Sequence, residues 1–302
     1  MSAVLKSAYQ ALPKTFLPSA ALRRRQRRGD IFGVLFLAAT LLGVVVLAVL
    51  LITLVFRGWG WLSWDFLTHA DSRLPERAGL NIAIVGTFWV IAITAIFAFS
   101  VGVGAAIYLE EYAHDNFWTR VLQVNIANLA GVPSVVYGLL GLGIFVELMQ
   151  MGRSVVAGSL TMGLLILPVI IIASREALRA VPISLRQGAY ALGATRWQVV
   201  RHHVLPAAFS GILTGTILAM SRAIGETAPL LVAGAAGYLA FVPSSPLDSY
   251  SALPIQIYYW AQRPQREFNE LAAAGILVLL AILLTMNAAA IILRQRTSRT
   301  RW

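Results

Sequence analysis

The sequence predicts an all-α polytopic membrane protein with six transmembrane helices. Three observations predict it. Of the 302 residues 58% are hydrophobic and only 12% are charged, whereas a soluble domain is about 45–50% apolar and about 25% charged. Six apolar stretches approach or exceed the roughly 20 residues that cross a hydrocarbon core of about 30 Å. Basic residues, finally, gather on one side of the topology those stretches define. The chain has no cysteine, which leaves no disulfide framework, thiolate chemistry or Cys-ligated zinc.

The stretches are 31–56, 81–109, 121–149, 155–174, 206–236 and 271–293. The first follows a basic run at 23–28 and is too long for a signal-peptide core of about 7–15 residues, so it is read as a retained helix. The third and fifth carry Gly, Pro and polar residues. With the N-terminus inside, 17 Lys and Arg fall on the inner side and 6 on the outer, with Arg222 inside a span. That bias places both termini in the cytoplasm. The net charge of +11 is therefore mostly topology and gives no reason to invoke nucleic acid. The organisation that follows is a basic cytoplasmic tail (1–30), a first helix and outer loop (31–78), a core (79–293) and a second basic tail (294–302). Trp59, Trp61, Trp64, Tyr258, Tyr259 and Trp260 fall near outer boundaries, as an aromatic belt does.

Within the fifth stretch Arg222 and Glu226 stand four residues apart, on one helix face. Each costs about 2.5–3.5 kcal/mol at the centre of a lipid-facing helix, so the pair is expected to face the protein interior. Pro229 removes the helical partner of the Gly225 carbonyl, and Gly225, Glu226 and Pro229 together predict a break beside the charges. Interrupted helices at membrane depth belong where they line a cavity. Gly211 and Gly215 have the spacing of close helix packing. Tyr137, Asn128 and Ser134 flank Pro133 and fit interhelical hydrogen bonding.

The inner loop 175–206 is more than a connector. Ser184 to Gln187 fits a capping box that opens a helix ending at Gly193, and Thr195 to Gln198 fits a second, opening a short helix toward His203. Pro206 then opens the fifth span. Gly188, Ala189, Gly193 and Ala194 leave little side-chain bulk, so another backbone could approach this corner. An amphipathic connector on the bilayer surface is the other reading these residues allow.

Gln187-Gly188-Ala189, Gly193 and Leu205-Pro206 resemble the EAA loop of ABC importer permeases in spacing, with Gln187, Gly188 and His203 replacing Glu, Ala and Ile. The run from Asn128 to Gly138 and the heptad from Gly225 to Leu231 resemble permeases of the bacterial phosphate-specific transport (Pst) system, and Ala228-Pro229-Leu230-Leu231 resembles its A-type branch, as do Leu253 to Ile257 and Arg263-Pro264-Gln265. The resemblance covers roughly residues 79–293. It implies a type I ABC importer permease fold, with Gln187, Gly188, Ala189, Gly193, Ala194, Thr195, Leu205 and Pro206 forming a coupling site for a separate dimeric ATPase. It also implies a C-type permease partner, an extracytoplasmic phosphate-binding protein, and a phosphate path past Arg222, Gly225, Glu226, Thr227 and Pro229. A molybdate- or sulfate-type permease and an ion-coupled secondary transporter are the alternatives. The chain has only two lysines, Lys6 and Lys14, neither ending a phosphate-binding loop. ATP and Mg are thus expected on the partner, with no cofactor, metal or catalytic residue in this chain.

Overall fold

A computed structural model describes residues 20–299. The chain divides into two units, residues 1–53 and 54–302. The first is described from Ala20 onward, and the part of the expected tail before it lies outside the described residues. There α1 (Ala20–Gly58) begins within the expected tail and runs through the first span. From Arg28 to Thr53 its side chains, Phe36, Leu42 and Val46 among them, are exposed, as lipid solvent requires. Thr40 and Thr53 return their hydroxyls to Phe36 O and Val49 O, each at 2.8 Å, so neither presents an unpaired polar group to hydrocarbon.

The second unit is a helical core. Ser63 caps the short α2 (Trp64–Thr68) by accepting the Phe66 N–H at 3.1 Å. α3 (Asn81–Ile107) ends in a π turn, Tyr108–Tyr112. α4 (Phe117–Leu129) and α5 (Ser134–Gly141, prolonged by a π-helical stretch Leu142–Leu148) follow, then α6 (Val155–Arg179) and α7 (Ile183–Ala191). α8 (Arg196–Val199) leads through a second π stretch, Val200–Val204, into α9 (Leu205–Ile224). α10 (Ala228–Ala233), α11 (Leu253–Ala261) and α12 (Arg266–Arg299) complete the unit. Among the described residues there is no β-strand, only a bridge between Ser154 and Ser249.

Five helical stretches are long and apolar enough to cross a membrane: Arg28–Trp61, Asn81–Tyr112, Val155–Arg179, Arg196–Ile224 and Arg266–Ile292. The pair α4 and α5, bent by 106°, makes the sixth. The third span is therefore not a single rod. Pro133 cannot continue α4, and the Tyr137 hydroxyl closes the bend by donating to Leu129 O at 2.8 Å. α12 continues unbroken through residue 294 into the expected tail, where Arg294 donates to Thr214 Oγ1 at 2.9 Å.

The core lies where α3, α6 and α9 meet, around Val90, Ala98, Met162, Ile166, Ile170, Ile212 and Ala219. Gly211 and Gly215 let α9 close on α6: a Cβ at Gly211 would stand 2.7 Å from that of Ala177, and one at Gly215 would collide with Ala173. The segment before α11 packs against α3 and α6: a Cβ at Gly86 would collide with Ser251 O and one at Gly158 with the Tyr250 hydroxyl, and the Leu253 N–H donates to Thr87 Oγ1 at 2.8 Å.

Trp260 is no belt residue. It is fully buried, with Nε1 donating to Asp71 Oδ1 at 2.9 Å, and Arg263 adds a 3.3 Å pair to the same carboxylate while lying over the Phe268 ring. Trp59 and Trp64 do remain exposed. In the loop before α11 the Ser244 and Ser245 N–H groups and the Ser244 hydroxyl converge on Asp248, holding its carboxyl below the usual range.

Candidate functional site

α9 stops at Ile224, and its last turn tightens: Gly225 N–H donates to Arg222 O at 3.2 Å and Glu226 N–H to Ala223 O at 3.1 Å. Gly225, Glu226 and Thr227 form the interruption, and α10 starts at Ala228. The break expected from Gly225 and Pro229 is present, but not in mid-helix. The helix begins at Arg196, so Arg222 and Glu226 lie at its far end rather than near the middle of a span reaching 236. Pro229 is buried in the first turn of α10, where the N–H it lacks needs no helical partner. Gly138 admits α10 against α5, since a Cβ there would stand 2.9 Å from Pro229 Cα.

The charged pair is made once, from Arg222 Nε to Glu226 Oε1 at 3.3 Å. The Arg222 side chain is 52% exposed and that of Glu226 20%. Among the described residues no hydrogen bond is made by the two terminal nitrogens of Arg222. A water-sized cavity of about 10 Å³ adjoins the break, lined by Thr87, Val90, Ile91 and Thr94 of α3 and by Ala223 and Ile224 of α9.

α7 ends in a left-handed residue, Gly193, at φ 81°. Gly193 N–H donates to Tyr190 O at 2.9 Å and Ala194 N–H to Ala189 O at 3.1 Å, the paired bonds of a Schellman ending. Thr195 then forms the expected capping box, its N–H donating to Gln198 Oε1 at 2.8 Å and its Oγ1 accepting the Gln198 N–H at 3.4 Å. The other box is absent. α7 starts at Ile183 with Pro182 before it, so Ser184 already lies inside the first turn. The second arm is not a short separate helix either; it passes through the π stretch at Val200–Val204, before Leu205 and Pro206, and becomes α9.

Gln187, Gly188, Gly193 and Thr195 are exposed, Ala194 is half-buried and Ala189 is buried. Nothing lies within 4 Å of a Cβ placed on Gly188 or Gly193. Around them Ile183, Tyr190, Leu192 and Trp197 are exposed, Leu192 to 90%. A ring of apolar side chains around a bare backbone corner is a surface suited to docking.

Sequence reasoning missed a cluster behind this corner: Glu110, Glu111 and Tyr112 against Arg175, Arg179, Arg186 and Arg196. The only sequence signal was an acidic pair at the end of a span, in a chain whose 175–206 segment is rich in arginine.

The fold is that of type I ABC importer permeases, built as a multi-pass inner-membrane protein. The chain belongs to the family of binding-protein-dependent transport system inner membrane components, whose model matches residues 98–299. It is similar to the phosphate transport system permease protein PstA of Haemophilus influenzae, at 32% identity over 82% of this chain and 87% of that one. PstA 1 of Mycobacterium tuberculosis (strain H37Rv) is 32% identical over 92% of this chain and 91% of its own. A crystal structure of a bacterial alginate ABC transporter, in complex with an alginate pentasaccharide-bound periplasmic protein, superposes with a TM-score of 0.67 at 12% identity, covering 91% of this chain and 97% of that one.

Proposed function

We propose that this chain forms half of the pore of an ATP-driven inorganic phosphate importer. A second, C-type permease completes the pore, an extracytoplasmic binding protein delivers phosphate, and a separate dimeric ATPase binds ATP and Mg. Both chain termini lie in the cytoplasm. The observation that carries the substrate reading is the helix break at Gly225, where a half-exposed arginine in the last turn of a membrane-spanning helix has one bond to its neighbour and an unused donor face. The similarity to PstA proteins supports the same reading.

A guanidinium offers paired donors to a tetrahedral oxyanion. Glu226 holds Arg222 between transport events, so the path is not a permanent anion trap. Glu226 also accepts a hydrogen bond from a phosphate O–H, a donor sulfate lacks at neutral pH. Gly225 and Thr227 belong to the interruption that opens this path, and Pro229 fixes the start of α10 beyond it.

At the inner face the Gly193 corner, with Gln187, Gly188, Ala189, Ala194 and Thr195, docks on the ATPase, and Leu205 and Pro206 carry the second arm into the membrane. ATP drives transport only through differential binding to two states of the complex. The reconstituted complex is expected to take up phosphate, and not sulfate, on addition of ATP. Sulfate uptake at the phosphate rate would refute the role given to Glu226, and uptake that follows an ion gradient without ATP would favour a secondary transporter.

A further inference from the structure

Three successive side chains of the π turn that ends α3 each engage a different arginine-bearing element. Glu110 accepts two 2.9 Å bonds from Arg179 Nε and a 3.5 Å bond from Arg175, both on α6. Glu111 accepts Arg186 Nη2 at 2.7 Å and Nε at 3.2 Å, from the helix before the Gly193 corner. The Tyr112 ring lies 5.3 Å beneath the Arg196 guanidinium, from the helix after the corner. Both arms of the corner are thus gripped by consecutive residues of one turn. π turns are rare and concentrate at functional positions.

The grip is well made. Glu111 is 7% exposed and Arg186 16%, and Arg186 also donates to Leu178 O at 2.9 Å and Val181 O at 2.7 Å, satisfying carbonyls at the end of α6. A buried pair of this kind resists separation, because losing one partner leaves the other charged and unpaired. The corner therefore moves together with the end of α3. α3 then runs along α6 and α9, and its residues Thr87, Val90, Ile91 and Thr94 line the cavity beside Ala223 and Ile224, directly before the Gly225 break. The covalent route from the corner to the same break runs through the π stretch at Val200–Val204 and Pro206.

We propose that Glu110, Glu111 and Tyr112 are positioning residues that carry movement of the Gly193 corner into α3, alongside the chain connection through α9. This rests on the reading of the corner as the ATPase docking site. The test uses the full complex in vesicles and measures phosphate accumulated per ATP hydrolysed, with a cysteine at Ala194 cross-linked to the ATPase as a check on docking. Glu111→Gln and Tyr112→Ala are expected to lower that ratio about fivefold or more with the cross-link retained, and Tyr112→Phe, which keeps the ring under Arg196, to restore it. A merely structural role would reduce the amount of complex and leave the ratio alone. Should Glu111→Gln fail to assemble, the Tyr112 pair decides: a wild-type ratio in Tyr112→Ala overturns the proposal. Absence of the cross-link in the otherwise unsubstituted complex overturns the docking reading and this proposal with it.

Discussion

Gly193→Ala isolates the conformational demand of the docking corner. Gly193 sits at φ 81° with nothing within 4 Å of a Cβ placed there, so alanine meets no steric obstacle in this chain. What it meets is the left-handed backbone itself, at a cost of about 1–2 kcal/mol. The corner cannot escape that cost cheaply, since leaving the left-handed region breaks the bonds from Gly193 N–H to Tyr190 O and from Ala194 N–H to Ala189 O. A cost of that size lowers the population of the intact corner by about 5- to 30-fold. The assay is the affinity of the detergent-solubilised permease pair for its ATPase. Asparagine tolerates the left-handed region better than alanine, so affinity should fall in the order Gly, Asn, Ala. Gly188→Ala, at a helical position with open space around it, carries no such backbone cost. Equal affinities for Gly193→Asn, Gly193→Ala and wild type would refute the reasoning; asparagine weaker than alanine would show that bulk, not backbone, governs the contact.

Three other outcomes are expected. Gly215→Val drives a branched side chain into Ala173 of α6, costing about 1–3 kcal/mol, read as a lowered thermal midpoint of the purified complex. Trp260→Phe leaves one Asp71 oxygen without its 2.9 Å indole donor in a buried site, and a loss of about 1–3 kcal/mol is expected in the same measurement. Asp248 has a folded-state value below the ordinary 3.8, so its contribution to the order of the loop before α11 is full above 3.8 and lost as the pH falls through the lower folded value. Protection of the Val155 and Val156 amides, which donate to Asp248 O and Pro246 O, should fall over that window, and Asp248→Asn should remove the step.

The membrane spans were legible because apolar runs of this length are imposed by the bilayer itself. The Thr195 capping box and the Gly193 ending were legible for a related reason, being local chemistry within a few residues. Long-range placement was not. The sequence set the fifth span at 206–236, with a break inside it, and put Arg222 in mid-span, whereas α8 and α9 form one helical stretch from Arg196 and reach the break 29 residues later. Ser184 looked like a cap, but Pro182, with φ −55° and ψ 137°, starts the helix two residues earlier than that cap requires. Trp260 looked like a belt aromatic because its partner Asp71 lies 189 residues away. The grip of Glu111 on Arg186 spans 75 residues, and no pattern of spacing announces it.

The central claim, that an anion passes the helix break beside Arg222, is tested most directly by ATP-driven phosphate uptake in complexes carrying Arg222→Gln or Glu226→Gln, with assembly and ATP hydrolysis measured alongside. Arg222→Gln should abolish uptake in an assembled complex, and Glu226→Gln should impair it by leaving Arg222 without its tether. Near-normal uptake in both would make the pair a packing contact and contradict the account.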